Sequence, residues 1–119
     1  MKKFYYLSTC NTCTRIREEL GNESALDMRE IKSQALSAEE ADRLAAKAGS
    51  YEAIFSKRAI KYRQLGLNNK DLSEKDYRHY LLEDYTFLKR PVLETEQHVL
   101  AGNSKKIVSQ MKEAVAKSE

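Results

Sequence analysis

Phe4-Tyr5-Tyr6-Leu7-Ser8-Thr9-Cys10-Asn11-Thr12-Cys13-Thr14-Arg15-Ile16 is the stretch that decides the fold. Residues 3–7 are aromatic and apolar and read as a buried strand. From Asn11 the pattern changes to a helical one, with Cys13, Ile16 and Leu20 on one face and Gly21 as a natural stop. The polar link Ser8-Thr9 lies between, so Cys10 falls at the junction of a strand and a helix. Ala25 to Glu30 then alternates, Leu26 and Met28 against Asp27 and Arg29, as a half-buried strand does. A strand–helix–strand crossover of this length makes a parallel pair.

The rest of the chain extends this unit. Ser37-Ala38-Glu39-Glu40 is a capping box, with Leu36 and Ala41 at staple positions. It opens a helix with Ala41, Leu44, Ala45 and Ala48 on its apolar face and Gly49 at its end. A short helix is expected over Tyr51 to Phe55. Another starts at Ser73, with Leu72 and Tyr77 at staple positions and Tyr77, Tyr80 and Leu81 inward. After Pro91, the only proline, Val92-Leu93 and Val99-Leu100 flank the polar residues 94–98 and read as an antiparallel hairpin. Asn103 is the expected cap of a last helix with Ile107, Val108, Met111 and Val115 inward, and Lys117-Ser118-Glu119 is expected to fray. The order is β-α-β, a helical block, then β-β-α. It predicts an α/β fold with a four-stranded mixed sheet. A single domain over residues 1–119 is expected, its core at about 1–35 and 88–117 and a helical insertion at about 36–87.

With 119 residues, 41% hydrophobic and 33% charged, the chain suits one soluble domain. Its net charge of +3 is too small and too interleaved to point to direct nucleic-acid binding. No apolar run approaches the ~20 residues of a membrane span. The apolar start of the chain ends at Leu7, too short for a secretory signal, so a cytoplasmic protein is expected. Thiols are kept reduced there, which favours a catalytic, redox-sensing or metal-binding use of two cysteines so closely spaced.

The first turn of a helix presents unpaired N–H groups and a partial positive charge, which favour a thiolate over a thiol. Cys10 is therefore the expected nucleophile. The amides of Asn11, Thr12 and Cys13 could cradle an oxyanion brought up to it. Cys13, one helical step inward, could resolve an adduct on Cys10, although its place on the Ile16–Leu20 face suits plain packing equally. Zinc would need His79 and His98 as further ligands, and their 19-residue separation matches no structural zinc spacing, so no metal site is expected. Arg90-Pro91 opens the hairpin. A proline suits the first residue of a strand; a cis proline would shape the wall facing Cys10, with Arg90 offering a bidentate cation. Ser56-Lys57-Arg58 alone reads as a solvated basic helix end.

Taken together, these features resemble the arsenate reductase ArsC/Spx family, whose fold is thioredoxin-like. The matching stretches are Phe4–Leu7 leading to Cys10-Asn11-Thr12-Cys13, Ile54-Phe55-Ser56-Lys57-Arg58, Tyr62-Arg63-Gln64-Leu65-Gly66-Leu67, Leu88-Lys89-Arg90-Pro91-Val92-Leu93 and the helix after Ala101-Gly102-Asn103. The resemblance implies a thiol-dependent oxidoreductase. Cys10 would attack arsenate, Arg90 would bind the oxyanion, and glutathione and glutaredoxin, or a similar thiol system, would be electron donors. No bound cofactor is implied. Two further family arginines fall at Ser56 and near Gly102 in this sequence. Arg58 lies where Spx-like members carry a basic residue, and with Asn11, Thr12 and Pro91 it is an expected contact for the oxyanion or thiol substrate. The Cys10–Cys13 pair resembles Spx too, which implies an alternative: a disulfide-switched regulator binding the RNA polymerase α subunit.

Overall fold

The computed structural model describes residues 2–21 and 26–116. The start of the second strand at Ala25 and the fraying of 117–119 lie outside the described residues. Four strands form one sheet: β1 (Lys2–Tyr6), β2 (Leu26–Glu30), β3 (Val92–Glu94) and β4 (Val99–Ala101), in the order β2-β1-β3-β4. β1 runs parallel to β2, with Phe4 opposite Met28 and Tyr6 opposite Glu30. β3 is antiparallel to both β1 and β4, with Leu93 opposite Phe4 on one side and Leu100 on the other. The fold is α/β with a four-stranded mixed sheet, as the element order predicts.

The chain divides into two compact units, residues 1–34 with 90–119, and residues 35–89. The first holds the sheet, α1 (Asn11–Leu20) and α5 (Lys105–Ala116). Its core joins Phe4, Leu26 and Leu93 from the sheet to Ile16 and Leu20 of α1 and to Met111 and Val115 of α5. Ile107 and Val108 pack against this cluster half-buried. Both ends of α1 follow from sequence. Cys10 is its N-cap, in extended conformation, and Gly21 closes it at φ 68°, its N–H donating to the Arg17 carbonyl. That left-handed backbone is one only glycine adopts without cost. The cap of α5 is not Asn103 but Ser104, whose hydroxyl accepts from the Ile107 N–H at 3.2 Å. The side-chain amide of Asn103 instead donates to the Arg90 carbonyl at 3.4 Å, where it ties the approach to α5 to the start of the hairpin.

The second unit holds α2 (Ala38–Ala48), α3 (Ile60–Gln64) and α4 (Glu74–Glu83), with 3-10 turns at Glu52–Ile54, Leu67–Asn69 and Tyr85–Phe87. The short helix expected over Tyr51–Phe55 is thus a single 3-10 turn. Capping boxes open α2, between Ser37 and Glu40, and α4, between Ser73 and Asp76. In α4, Tyr77 and Leu81 are buried while Tyr80 is only half so. Phe55 is the centre of this unit. It stacks on Phe87 at 5.1 Å and meets Tyr77 edge-on at 4.9 Å. A bridge from Phe55 to Leu88, with Lys89 N–H donating to the Ile54 carbonyl at 2.9 Å, joins the middle of the helical segment to its C-terminal end.

Candidate active site

Strand β1 ends at Tyr6, and the chain turns over Leu7-Ser8-Thr9-Cys10, closed by a hydrogen bond from the Cys10 N–H to the Leu7 carbonyl at 3.0 Å. This turn delivers Cys10 to the N-cap position of α1. A cysteine there does what a serine cap does, with sulfur in place of oxygen: Cys10 Sγ accepts from the Cys13 N–H at 3.4 Å. An amide directed at the sulfur, at the positive end of a helix, stabilises negative charge on it. The Cys10 carbonyl takes the first helical bond, from Thr14 N–H at 3.2 Å, and a second from the Thr14 hydroxyl at 3.3 Å.

The two cysteines differ in environment. Cys10 is partly exposed; Cys13 is 1% exposed, on the face of α1 that carries Ile16. Burial pushes the Cys13 thiol up to about 12. A backbone hydrogen bond at Leu7 and the Arg90 charge pull it down, while the Cys10 side chain pushes it further up. The spacing therefore brings both sulfurs to one helix end yet leaves Cys13 a protonated, buried thiol at neutral pH.

Arg90 and Pro91 lie in the same unit as the cysteines. The Arg90–Pro91 peptide is cis, Pro91 is buried and Arg90 is half-buried. The Pro91 carbonyl accepts from the Gly102 N–H at 2.9 Å, which fixes the mouth of the hairpin. Gly102 has φ 105°, in the left-handed region, so this position serves a turn and suits no arginine. Among the other expected residues, Asn11 is exposed and Thr12 half-buried in the first turn of α1. Arg58 is exposed and belongs to the helical unit, after the 3-10 turn at Glu52–Ile54. His79 pairs with Glu83 along α4 at 2.9 Å, and His98 sits in the β3–β4 turn. Among the described residues, no three His, Cys, Asp or Glu side chains are grouped to hold a metal ion.

Sequence reading missed Glu30, the last residue of β2. Its Oε2 accepts from the Ser8 N–H at 3.0 Å. Its Oε1 accepts from Lys32 N–H, Ser33 N–H and the Ser33 hydroxyl at 3.0, 2.7 and 2.9 Å. The Ser8 amide first, and the Ser33 amide next, hold its carboxyl down at about 2. The available signal is an acidic residue ending a parallel strand just before the polar run Lys32-Ser33-Gln34.

The protein is similar in structure to several known ones. An ArsC family related protein from Bacteroides fragilis matches at 22% identity with a TM-score of 0.79, over 92% of this chain and 96% of the other. A possible arsenate reductase from Streptococcus mutans matches at 28% identity and 0.72, over 88% and 92%. The arsenate reductase from Vibrio cholerae matches at 19% and 0.76, over 94% and 95%. These likenesses establish the thioredoxin-like fold. No curated protein matches the sequence. The ArsC family model matches residues 5–111, from the middle of the central strand into the last helix, across the cysteine turn and the Arg90–Pro91 peptide alike. The chain belongs to the ArsC family.

Proposed function

We propose that this protein is a thiol-dependent oxidoreductase acting on an arsenate-like oxyanion, with Cys10 as the nucleophile and glutathione, delivered directly or through glutaredoxin, as the electron source. The observation that carries the reading is the asymmetry of the cysteine pair. Cys10 is accessible and its sulfur accepts the Cys13 amide; Cys13 is buried and its thiol is held up at about 12. Cys10 attacks the oxidised centre and displaces an oxygen as water, the first-turn amides of α1 and the Arg90 guanidinium offsetting the negative charge. A second thiol then attacks. The two thiols together give up two electrons and two protons and end as a disulfide, while the oxyanion leaves reduced, with one oxygen fewer. A thiol protonated until about pH 12 is a poor candidate for that second step, which favours a donor from solution over Cys13.

The test is reduction of arsenate coupled to glutathione and glutaredoxin. Cys10→Ser abolishes turnover, and Cys13→Ser retains most of it. Activity that survives Cys10→Ser, or an inert native protein, overturns the proposal. Loss of activity in Cys13→Ser together with an oxidised Cys10–Cys13 pair makes Cys13 the second thiol of a self-resolving enzyme; an oxidised pair in a native protein that turns nothing over supports instead a disulfide switch, for which the contact between the two cysteine side chains is the favouring observation. That alternative carries its own assay: binding of the RNA polymerase α subunit that changes with oxidation.

A further inference from the structure

Glu30 stands at the end of β2, opposite Tyr6 in the parallel register, where β1 passes into the cysteine turn. Its two oxygens have separate tasks. Oε1 gathers three donors from Lys32 and Ser33, within three residues of Glu30 itself. These bonds orient the carboxylate from its own turn. Oε2 reaches across 22 residues of sequence to the Ser8 N–H. Ser8 is the second residue of the Leu7–Cys10 turn, two positions before the nucleophile.

We propose that Glu30 is a positioning residue for Cys10: its carboxylate clamps the Leu7–Cys10 turn through the Ser8 amide and so keeps the Cys10 sulfur on the Cys13 N–H. The turn has one internal hydrogen bond, Cys10 N–H to the Leu7 carbonyl. Fixing the Ser8 amide from outside sets the orientation of the peptide planes that lead into the N-cap. The contact from Cys13 N–H to Cys10 Sγ, 3.4 Å, is of ordinary length for a bond to sulfur and depends on direction, so a rotation of the turn that swings the sulfur out of line with the N–H would lose it. A carboxylate suits this task because both oxygens accept; a neutral amide offers one acceptor and a misplaced donor. The depressed carboxyl at about 2 keeps both acceptors available throughout the working pH range. The inference rests on the reading of Cys10 as the reactive thiolate.

The experiment follows the rate of Cys10 alkylation by iodoacetamide against pH, with adducts assigned to each cysteine by mass spectrometry. Free glutathione is the reference, and melting temperatures are recorded in parallel. Glu30→Gln and Glu30→Ala are expected to move the midpoint up by about one pH unit and to slow the reaction at neutral pH by roughly two- to tenfold. Ser8→Pro removes the same N–H, and with it the Ser8 hydroxyl that also bonds Glu30, at a turn position that accepts proline; it keeps the carboxylate itself and covers the case in which a Glu30 variant fails to fold. It should give the same shift, and combining it with Glu30→Gln should add little. A midpoint that stays put while the melting temperature falls makes Glu30 merely structural and overturns the proposal. A midpoint that falls does so too, because it shows that the carboxylate's field, opposing the thiolate, is what its removal relieves. A native Cys10 that reacts no faster than glutathione defeats the nucleophile reading itself, and is told apart from failure of the clamp by the unsubstituted protein alone.

Discussion

Treat the folded protein with iodoacetamide at neutral pH and, of its two cysteines, only Cys10 should be labelled. The magnitude follows from Cys13. A thiol at the reference value of 9.0 is ~1% thiolate at pH 7, whereas one at about 12 is ~0.001% thiolate, a deficit of roughly 1000-fold. Steric exclusion at 1% exposure only enlarges it. Peptide mass spectrometry reads the two sites separately. In about 8 M urea, where the contacts of α1 are gone, the two rates should converge to within a few-fold. The same thiol sets a pH dependence. Its folded value lies above the reference of 9.0, so as pH rises the unfolded chain releases this proton first. The contribution of Cys13 to stability is thus whole below about 9 and is lost as pH climbs toward 12, a loss that Cys13→Ala should remove from the alkaline limb. Comparable labelling of both cysteines in the folded state would refute the reasoning, since it would mean that Cys13 is neither buried nor protonated as described.

Three further expectations concern other parts of the molecule. Arg90→Ala should lower kcat/KM for the oxyanion by roughly 10–100-fold, with Arg90→Lys recovering only part because an ammonium lacks the guanidinium fork; steady-state kinetics of the coupled assay decide it. Phe55→Ala should cost about 3–5 kcal/mol in urea denaturation, because it empties the aromatic centre of the helical unit. Glu30 has a folded value of about 2 against 4.5 in the open chain, so on acidification the unfolded state takes the proton first. Its contribution is present above about pH 4.5 and lost as pH falls toward 2, and Glu30→Gln should flatten that part of the acid limb in urea midpoints measured at successive pH values.

The elements with strong local signals could be read from sequence, and those held by tertiary contacts could not. Residues Asn11–Leu20 carry an apolar stripe and a glycine stop, and the helix occupies those residues. The serine boxes at Ser37 and Ser73 mark two further helix starts. By contrast, α3 has no capping side chain and buries none of its own residues, so nothing local announces it. Asn103 and Ser104 are equally good caps in isolation; the Arg90 carbonyl, thirteen residues away, draws the asparagine off and leaves the serine. At the site, the cysteine pair and the strand–helix junction were legible. The different burial of the two sulfurs was foreshadowed by the Ile16–Leu20 face. Glu30 shows in the sequence only as an acidic residue at a strand end; its contact with Ser8 was not legible, because the two lie across a parallel pairing whose register is fixed only once the sheet forms.

The order in which the sheet is threaded has a consequence during synthesis. Tyr5 of the central strand and Glu94 of its antiparallel neighbour share a buried hydrogen bond at 2.7 Å across 89 residues of sequence. The helical unit between them is one uninterrupted segment, all of which is synthesised before Glu94. β1 and β2, made earlier, must wait with one edge of the central strand open until β3 arrives. An open strand edge is where chains pair with the wrong neighbour. The interval between the emergence of Glu30 and that of Glu94 is therefore the period in which a nascent copy is most exposed to mispairing, and substitutions that slow translation or folding there should appear as lost soluble yield before they appear as lost stability.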